Sequence, residues 1–253
     1  MPRTPEVGSS SPIDEPVGIN PEIEVGSPFD AEREITQADW QEIMLHLEKF
    51  KGDVDRDIEM AANVKLLNPE ADLNISQASI SSFVEKYKEK NNGHLSVDLI
   101  TEMKILGLGQ YFNLGQGVPE EAKRNIGETR LTALRKPRYW TFFSVAASDA
   151  KIVDPSFNLG LDQTAVNGIK GQIEEYRKDS RWDGFGDVAS NARIIGLDQV
   201  VQMDSTTWRE LRNELGGARW RNDWDSFIIL ATQMKILAAK KVEVTEKGLE
   251  LTK

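Results

Sequence analysis

Residues 139–153, 181–195 and 223–237 read YWTFFSVAASDAKIV, RWDGFGDVASNARII and DWDSFIILATQMKIL. Their tryptophans, Trp140, Trp182 and Trp224, stand 42 residues apart. In each segment an aromatic follows three residues later (Phe143, Phe185, Phe227), an alanine at seven (Ala147, Ala189, Ala231) and a cation at eleven (Lys151, Arg193, Lys235). An aliphatic pair closes the segment. Self-similarity at a fixed period of 20–50 residues is the mark of a repeat architecture. Offsets of 0, 3, 7 and 10 lie along one face of a helix, so the Trp, Phe and Ala positions are assigned to a core, with the small Ala admitting a close neighbour.

With the cation as a register mark, two weaker copies appear upstream, AANVKLL around Lys65 and TEMKILG around Lys104. The five marks, Lys65, Lys104, Lys151, Arg193 and Lys235, are spaced by 39, 47, 42 and 42 residues. Eight and ten residues beyond the first four come apolar pairs: Leu73 and Ile75, Phe112 and Leu114, Leu159 and Leu161, Val201 and Met203. In the fifth copy Val242 and Val244 arrive one residue early. Each unit therefore reads as helix A, helix B and a short extended link. Thr36, Ser76, Asp162 and Asp204 are cast as N-caps of the A helices, because their side-chain oxygens accept from first-turn N–H groups. Pro119 and Pro137 suit helix starts, and Pro69 and Pro155, four residues after a register cation, suit helix ends.

The units fall at about 35–75, 76–115, 116–161, 162–203 and 204–244. The fold expected is all-α: five helical hairpins of about 42 residues, stacked as an alpha-solenoid. At interaxial distances of roughly 8–10 Å they would form a rod or arc on the order of 50 Å long. In period and helix count this resembles the HEAT and armadillo solenoids, a likeness of architecture that carries no site residues with it. The closing VEVTEKGLELTK alternates apolar and polar residues around Thr245–Gly248, which reads as a small C-terminal β-hairpin or a frayed half-unit.

Residues 1–31 differ in kind. Six of the ten prolines lie there, and residues 1–30 hold six acids against Arg3, which accounts for −5 of the net charge of −10. Such a stretch buries too little apolar surface to offset ordering entropy, so 1–31 is expected to be a disordered tail ahead of a helical domain at 32–253. Its opening, MPRTPEVGSSSPIDEP, has no apolar stretch of the kind found in secretory signals. With no apolar run near 18 residues and no cysteine, the expectation is a cytoplasmic chain without thiol chemistry or disulfides.

No catalytic, cofactor or metal residues are nominated. Asp53, Asp55 and Asp57 imitate the start of a calcium loop, but Ile58 and Val64 occupy the positions that need Gly and Glu. His46 and His94 have no companions at metal-ligand spacing. Gly107 and Gly109 follow a helix instead of opening one, which is wrong for a phosphate loop and right for a helix stop. Glu174 and Glu175, adjacent on a helix, do not face each other.

The function expected is a non-enzymatic scaffold that binds a protein or peptide. Lys151, Arg193 and Lys235, read as exposed helix-end positions, are the candidate partner contacts. Links containing Asn74, Asn113, Asn158 and Gln202 come next. A second role for the register cations is to complement the dipole of helix B from its last turn. Bases at the ends of the A helices (Arg135 and Lys136, Arg177 and Lys178, Arg219 and Arg221) and acids at the starts of the B helices mix both signs along each edge. No concentrated basic face for nucleic acid emerges. The alternative is nucleic-acid binding through 204–253, whose two helices and VTEKGLEL segment loosely resemble the helices and wing of winged-helix regulators.

Overall fold

The computed structural model describes residues 26–49, 54–73, 85, 96–108, 130–246 and 248–252. The described chain is mostly helical. A single turn, α1 (Ala31–Glu34), leads into α2 (Gln37–Lys49), α3 (Val54–Leu67), α4 (Val97–Ile105), the short α5 (Thr132–Leu134) and α6 (Trp140–Val153). Then follow α7 (Gln163–Lys178), α8 (Trp182–Ile194), a 3-10 turn at Asp198–Val200, α9 (Ser205–Trp220) and α10 (Trp224–Ala238). Strands β1 (Lys241–Thr245) and β2 (Gly248–Thr252) pair antiparallel, with Val242 opposite Leu251 and Val244 opposite Leu249.

Local chemistry sets the ends of these helices. Asp162 Oδ1 accepts from Ala165 N at 2.8 Å and Asp204 Oδ1 from Thr207 N at 2.7 Å, capping α7 and α9. Before α2, Asp39 N donates to Thr36 Oγ1 at 3.2 Å while Asp39 Oδ2 accepts from Thr36 N at 2.8 Å, a reciprocal capping box. Ser76 lies outside the described residues. Gly107 and Gly196 end α4 and α8 at φ of 71° and 79°, a region open to glycine at no steric cost. Each of the Trp segments begins a helix with an indole set edge-on to the phenyl ring one turn later. The centroids of Trp140–Phe143, Trp182–Phe185 and Trp224–Phe227 are 5.5, 5.6 and 5.3 Å apart. Phe143, Phe185, Phe227, Ala147, Ala189 and Ala231 have no exposed surface at all.

The helices do not extend as an open arc. α6 packs on α8, α8 on α10, α10 on α3, α3 on α4, and α4 back on α6, so five helices touch in cyclic order. α7 sits against both α6 and α8, α9 against α8 and α10, and α2 against α10 and α3. Curvature therefore carries the end of the chain round to its beginning. The small Ala and Gly positions let it do so: a Cβ on Gly186 of α8 would approach Gln233 and Leu230 of α10 to 2.5 and 3.4 Å.

The seam between the first and last helices is held by polar contacts. Arg212 of α9 forms a bidentate pair with Glu34 at 2.7 Å through both nitrogens, with side chains only 4% and 8% exposed, and adds Pro28 O at 3.3 Å. Arg219 pairs with Asp39 at 2.8 Å, His46 Nε2 lies 2.6 Å from Asp225 Oδ1, and Thr232 Oγ1 donates to Asn63 O at 3.2 Å. The end of the expected tail lies beside this seam. Phe29 and Ala31 are buried in the core and Asp30 caps α1, so residues 26–31 belong to the folded body. A proline-rich, acidic composition did not register the partner that Arg212 provides 178 residues away.

The links double back. Arg135, which precedes α6, donates to Leu159 O at 2.9 Å, although Leu159 follows the far end of that helix. Six extended residues at ~3.3 Å each span about the ~20 Å length of the helix. Leu159, Leu161, Val201, Met203 and Leu73 of these links join the main core, whereas Ile75, Phe112 and Leu114 lie outside the described residues. The early pair Val242 and Val244 belongs to no link. With Leu249 and Leu251 it lies on Ile105, Ile152, Ile194 and Ile236, each the residue after a register cation. Two-stranded hairpins are marginal alone, and here the helix ends supply the missing apolar surface. The closing aliphatic pairs thus divide: Ile152, Ile194 and Ile236 face the hairpin, while Val153, Ile195 and Leu237 face the main core.

Two substitutions test this packing. Arg212→Ala strands Glu34 in a buried site and should cost about 3–5 kcal/mol in denaturant unfolding, with increased hydrogen exchange in α2 and α10. Gly168→Ala drives a Cβ to within 2.1 Å of the Trp140 indole, so it should destabilise by about 1–3 kcal/mol despite its gain in helix propensity. Smaller damage from G168A when Trp140 is already Phe would tie the loss to that contact; additive losses would break the link.

Candidate functional site

The five register cations all stand in the last turn of their helices. They are not exposed. Lys104 and Arg193 are buried, and Lys65, Lys151 and Lys235 are half-buried. Three of them reach the next helix in the ring. Lys104 Nζ donates to Ile152 O and Val153 O at 3.1 and 3.0 Å, Arg193 Nη1 to Ile236 O and Leu237 O at 2.7 and 2.8 Å, and Lys235 Nζ to Leu66 O and Leu67 O at 2.7 and 2.9 Å. Lys65 and Lys151 instead hold their own links, at Pro69 O and Ala71 O and at Pro155 O and Phe157 O. Burial pulls the Lys104 ammonium below its usual range, against the attraction of Glu246 and Asp154.

Lys151, Arg193 and Lys235 therefore do not make the exposed partner surface expected of them. Arg193 and Lys235 donate to orphan carbonyls at the end of a second helix, and Lys151 donates to carbonyls of its own link. The link residues are also engaged. Gln202 O accepts from Arg177, and Asn158 Oδ1 accepts from Gly160 N at 2.9 Å. Asn74 and Asn113 lie outside the described residues.

A second cation series shares the 42-residue period. Arg135, Arg177 and Arg219 place their guanidinium carbons 5.5, 5.2 and 5.2 Å from the ring centroids of Phe143, Phe185 and Phe227. Each then reaches the chain leading into an outer helix: Leu159 O, Gln202 O and Glu34 O respectively. These residues are structural too.

The open surface lies beside them. Where the chain turns into α6, Lys136, Pro137, Arg138, Tyr139, Thr141 and Phe142 face Gln172, Glu175 and Tyr176 of α7 and Arg181 across a groove of about 940 Å³. Tyr139 and Phe142 are 37% and 61% exposed, two of the four large apolar side chains most open to water among the described residues. The floor is rigid: Tyr176 is buried, its hydroxyl 2.9 Å from Thr141 Oγ1, with the Arg181 guanidinium 4.6 Å above its ring. Lys136, Arg138 and Arg181 are exposed and form no ion pair among the described residues, and Glu175 is the single acid in the lining. The sequence signal was the run KPRYWTFF at 136–143. Its Trp and second Phe lead into the core, which drew attention from the Tyr and first Phe that do not.

Two carboxyls have displaced titrations. Asp149 of α6 is raised well above the usual carboxylate range, first by burial, then by Asp98 of α4, against the opposing pull of Arg130. Its Oδ2 is shut off from water. Asp98 in turn pairs with Arg130 at 2.9 Å. Asp187 of α8 is pushed up to about 6, again first by burial, with Asn191 donating to its Oδ1 at 3.0 Å in opposition. Among the described residues no three His, Asp or Glu side chains are grouped to hold a metal ion, and no helix is long and apolar enough to cross a membrane. Asp55 and Asp57 fall in the first turn of α3, and Asp53, His94 and Gly109 lie outside the described residues.

No family model, curated protein or solved structure matches this chain.

The Asp187 shift predicts a pH dependence. Because its folded pKa of about 6 exceeds the ordinary 3.8, the folded state binds more protons between those values. Stability from this group is present in acid and is lost as pH rises towards and through 6. Asp187→Asn keeps the acceptor for Asn191 and removes the charge. It should raise stability at pH 7.5 by up to about 3 kcal/mol and change it little at pH 4. Equal effects of D187N at both pH values in thermal unfolding would contradict the assignment.

Proposed function

We propose that the chain is a non-enzymatic binding module, built of five tandem helical units closed into a ring, which docks an extended acidic peptide in the groove between α6 and α7. The observation that carries this reading is the pairing of exposed Tyr139 and Phe142 with the cations Lys136 and Arg138 over a floor in which Arg181 stacks on Tyr176. Aromatic side chains supply contact area at low entropic cost, and arginines add directional donors for carboxylates. Aromatic-lined grooves are the usual receptors for extended, proline-containing peptides, which lose little freedom on docking.

Nucleic acid is the second candidate, since stacking rings and cations also suit single strands. With only three cations in the groove, too few for a run of phosphates, the lining favours the peptide. The 204–253 segment is a weaker site for nucleic acid, because the hairpin that would act as a wing turns its apolar face onto Ile152, Ile194 and Ile236.

A labelled acidic, proline-containing peptide titrated into the protein at low salt should bind saturably, with a Kd on the order of 0.1–1 mM. Arg138→Glu together with Arg181→Glu should weaken it at least tenfold without shifting the unfolding midpoint by more than a few degrees. Undiminished binding by that variant would remove the groove from the account. Tighter binding of a single-stranded oligonucleotide, with a steep salt slope, would replace the peptide by nucleic acid.

A further inference from the structure

This inference rests on the reading of the groove as a receptor for acidic peptides. We propose that the groove's resident occupant is the protein's own N-terminal segment, residues 12–24, held in cis so that an outside peptide must displace it.

Three observations meet here. The first is charge and composition. Residues 12–24 read PIDEPVGINPEIE, with Pro12, Pro16 and Pro21 interleaved with Asp14, Glu15, Glu22 and Glu24 and no cation. That is the complement of a groove with Lys136, Arg138 and Arg181 around Tyr139, Phe142 and Tyr176. Ile13, Val17 and Ile23 supply apolar side chains for Phe142, which is 61% exposed.

The second is the point of departure. Gly26 lies against Ser205, the first residue of α9: a Cβ added to Gly26 would stand 2.6 Å from Ser205 Cβ. Three residues, at most about 11 Å of chain, separate Ser205 from Gln202. Gln202 O accepts from Arg177, the neighbour of the groove's Tyr176. Gly26 thus stands a short way from the α7 end of the groove.

The third is reach. Fourteen residues from Pro12 to Val25 extend up to about 46 Å, so the segment can lie along the groove without strain. A tether of this length also sets a local concentration on the order of millimolar. Against an intrinsic affinity of tens of micromolar, that keeps the groove mostly filled and lowers the apparent affinity for a free peptide by about tenfold or more.

The test uses the full chain with p-benzoylphenylalanine in place of Phe142, photolysed in a mixture of isotopically heavy and light copies. The expected product is a crosslink from position 142 to a peptide within residues 12–24, with heavy joined to heavy and light to light, and lost in R138E/R181E. Mixed heavy–light adducts would mean the segment serves a second copy, and adducts to no N-terminal peptide would mean it does not dock; either result overturns the proposal. A second measurement separates this failure from failure of the groove itself. In the full chain carrying Asp14→Asn, Glu15→Gln, Glu22→Gln and Glu24→Gln, affinity for a free acidic peptide should rise about tenfold. An unchanged affinity, with binding still sensitive to R138E/R181E, leaves the groove a receptor and removes its internal occupant. Binding insensitive to R138E/R181E in both chains removes both.

Discussion

The cation in the last turn of α4, α8 and α10, donating to the final carbonyls of the next helix, is the contact on which the architecture rests. A helix ends with acceptors that have no intrahelical partner and with a partial negative charge. Buried without donors, those carbonyls would each cost on the order of 1–3 kcal/mol. Lys104, Arg193 and Lys235 meet the cost across a helix boundary. One side chain therefore terminates one helix and fixes the level of the next. Because Lys235 on α10 reaches α3 near the start of the chain, the same device that joins neighbours also closes the ring.

Closure explains the distribution of the remaining polar residues. The guanidinium series at Arg135, Arg177 and Arg219 locks the chain entering an outer helix against a buried phenylalanine. The hairpin covers the isoleucines left at the other ends of the ring helices. With these roles assigned, most cations with a repeat phase are structural. Arg138 and Arg181, which have no cation one period away, and Lys136, which repeats as Lys178, are exposed along the groove. A binding surface is to be sought where the pattern breaks, because positions that repeat are those the packing needs.

Much at the level of single elements was legible in the sequence. The Trp, Phe and Ala stripe, the Asp162 and Asp204 caps, the helix stop at Gly107 and the terminal hairpin all follow from local rules with a range of a few residues. The site was much less so. Lys151, Arg193 and Lys235 have the composition of a contact ladder, and only the fold engages their donors, through a second helix for Arg193 and Lys235 and a returning link for Lys151. Tyr139 and Phe142 carry the same apolar label as Trp140 and Phe143. The helical phase that separates them is clear only when the neighbours of α6 are known.

The sequence by itself determined the period, the helical faces and the chemistry of each helix end, since these depend on side chains one or two turns apart. Only the tertiary structure decided that α6, α8, α10, α3 and α4 touch in cyclic order, that Glu34 and Arg212 meet across 178 residues, and that Phe29 and Ala31 are buried. Curvature is a sum of small rotations at each helix contact. No single unit records it, and a partner so far along the chain leaves no mark in the local pattern on either side.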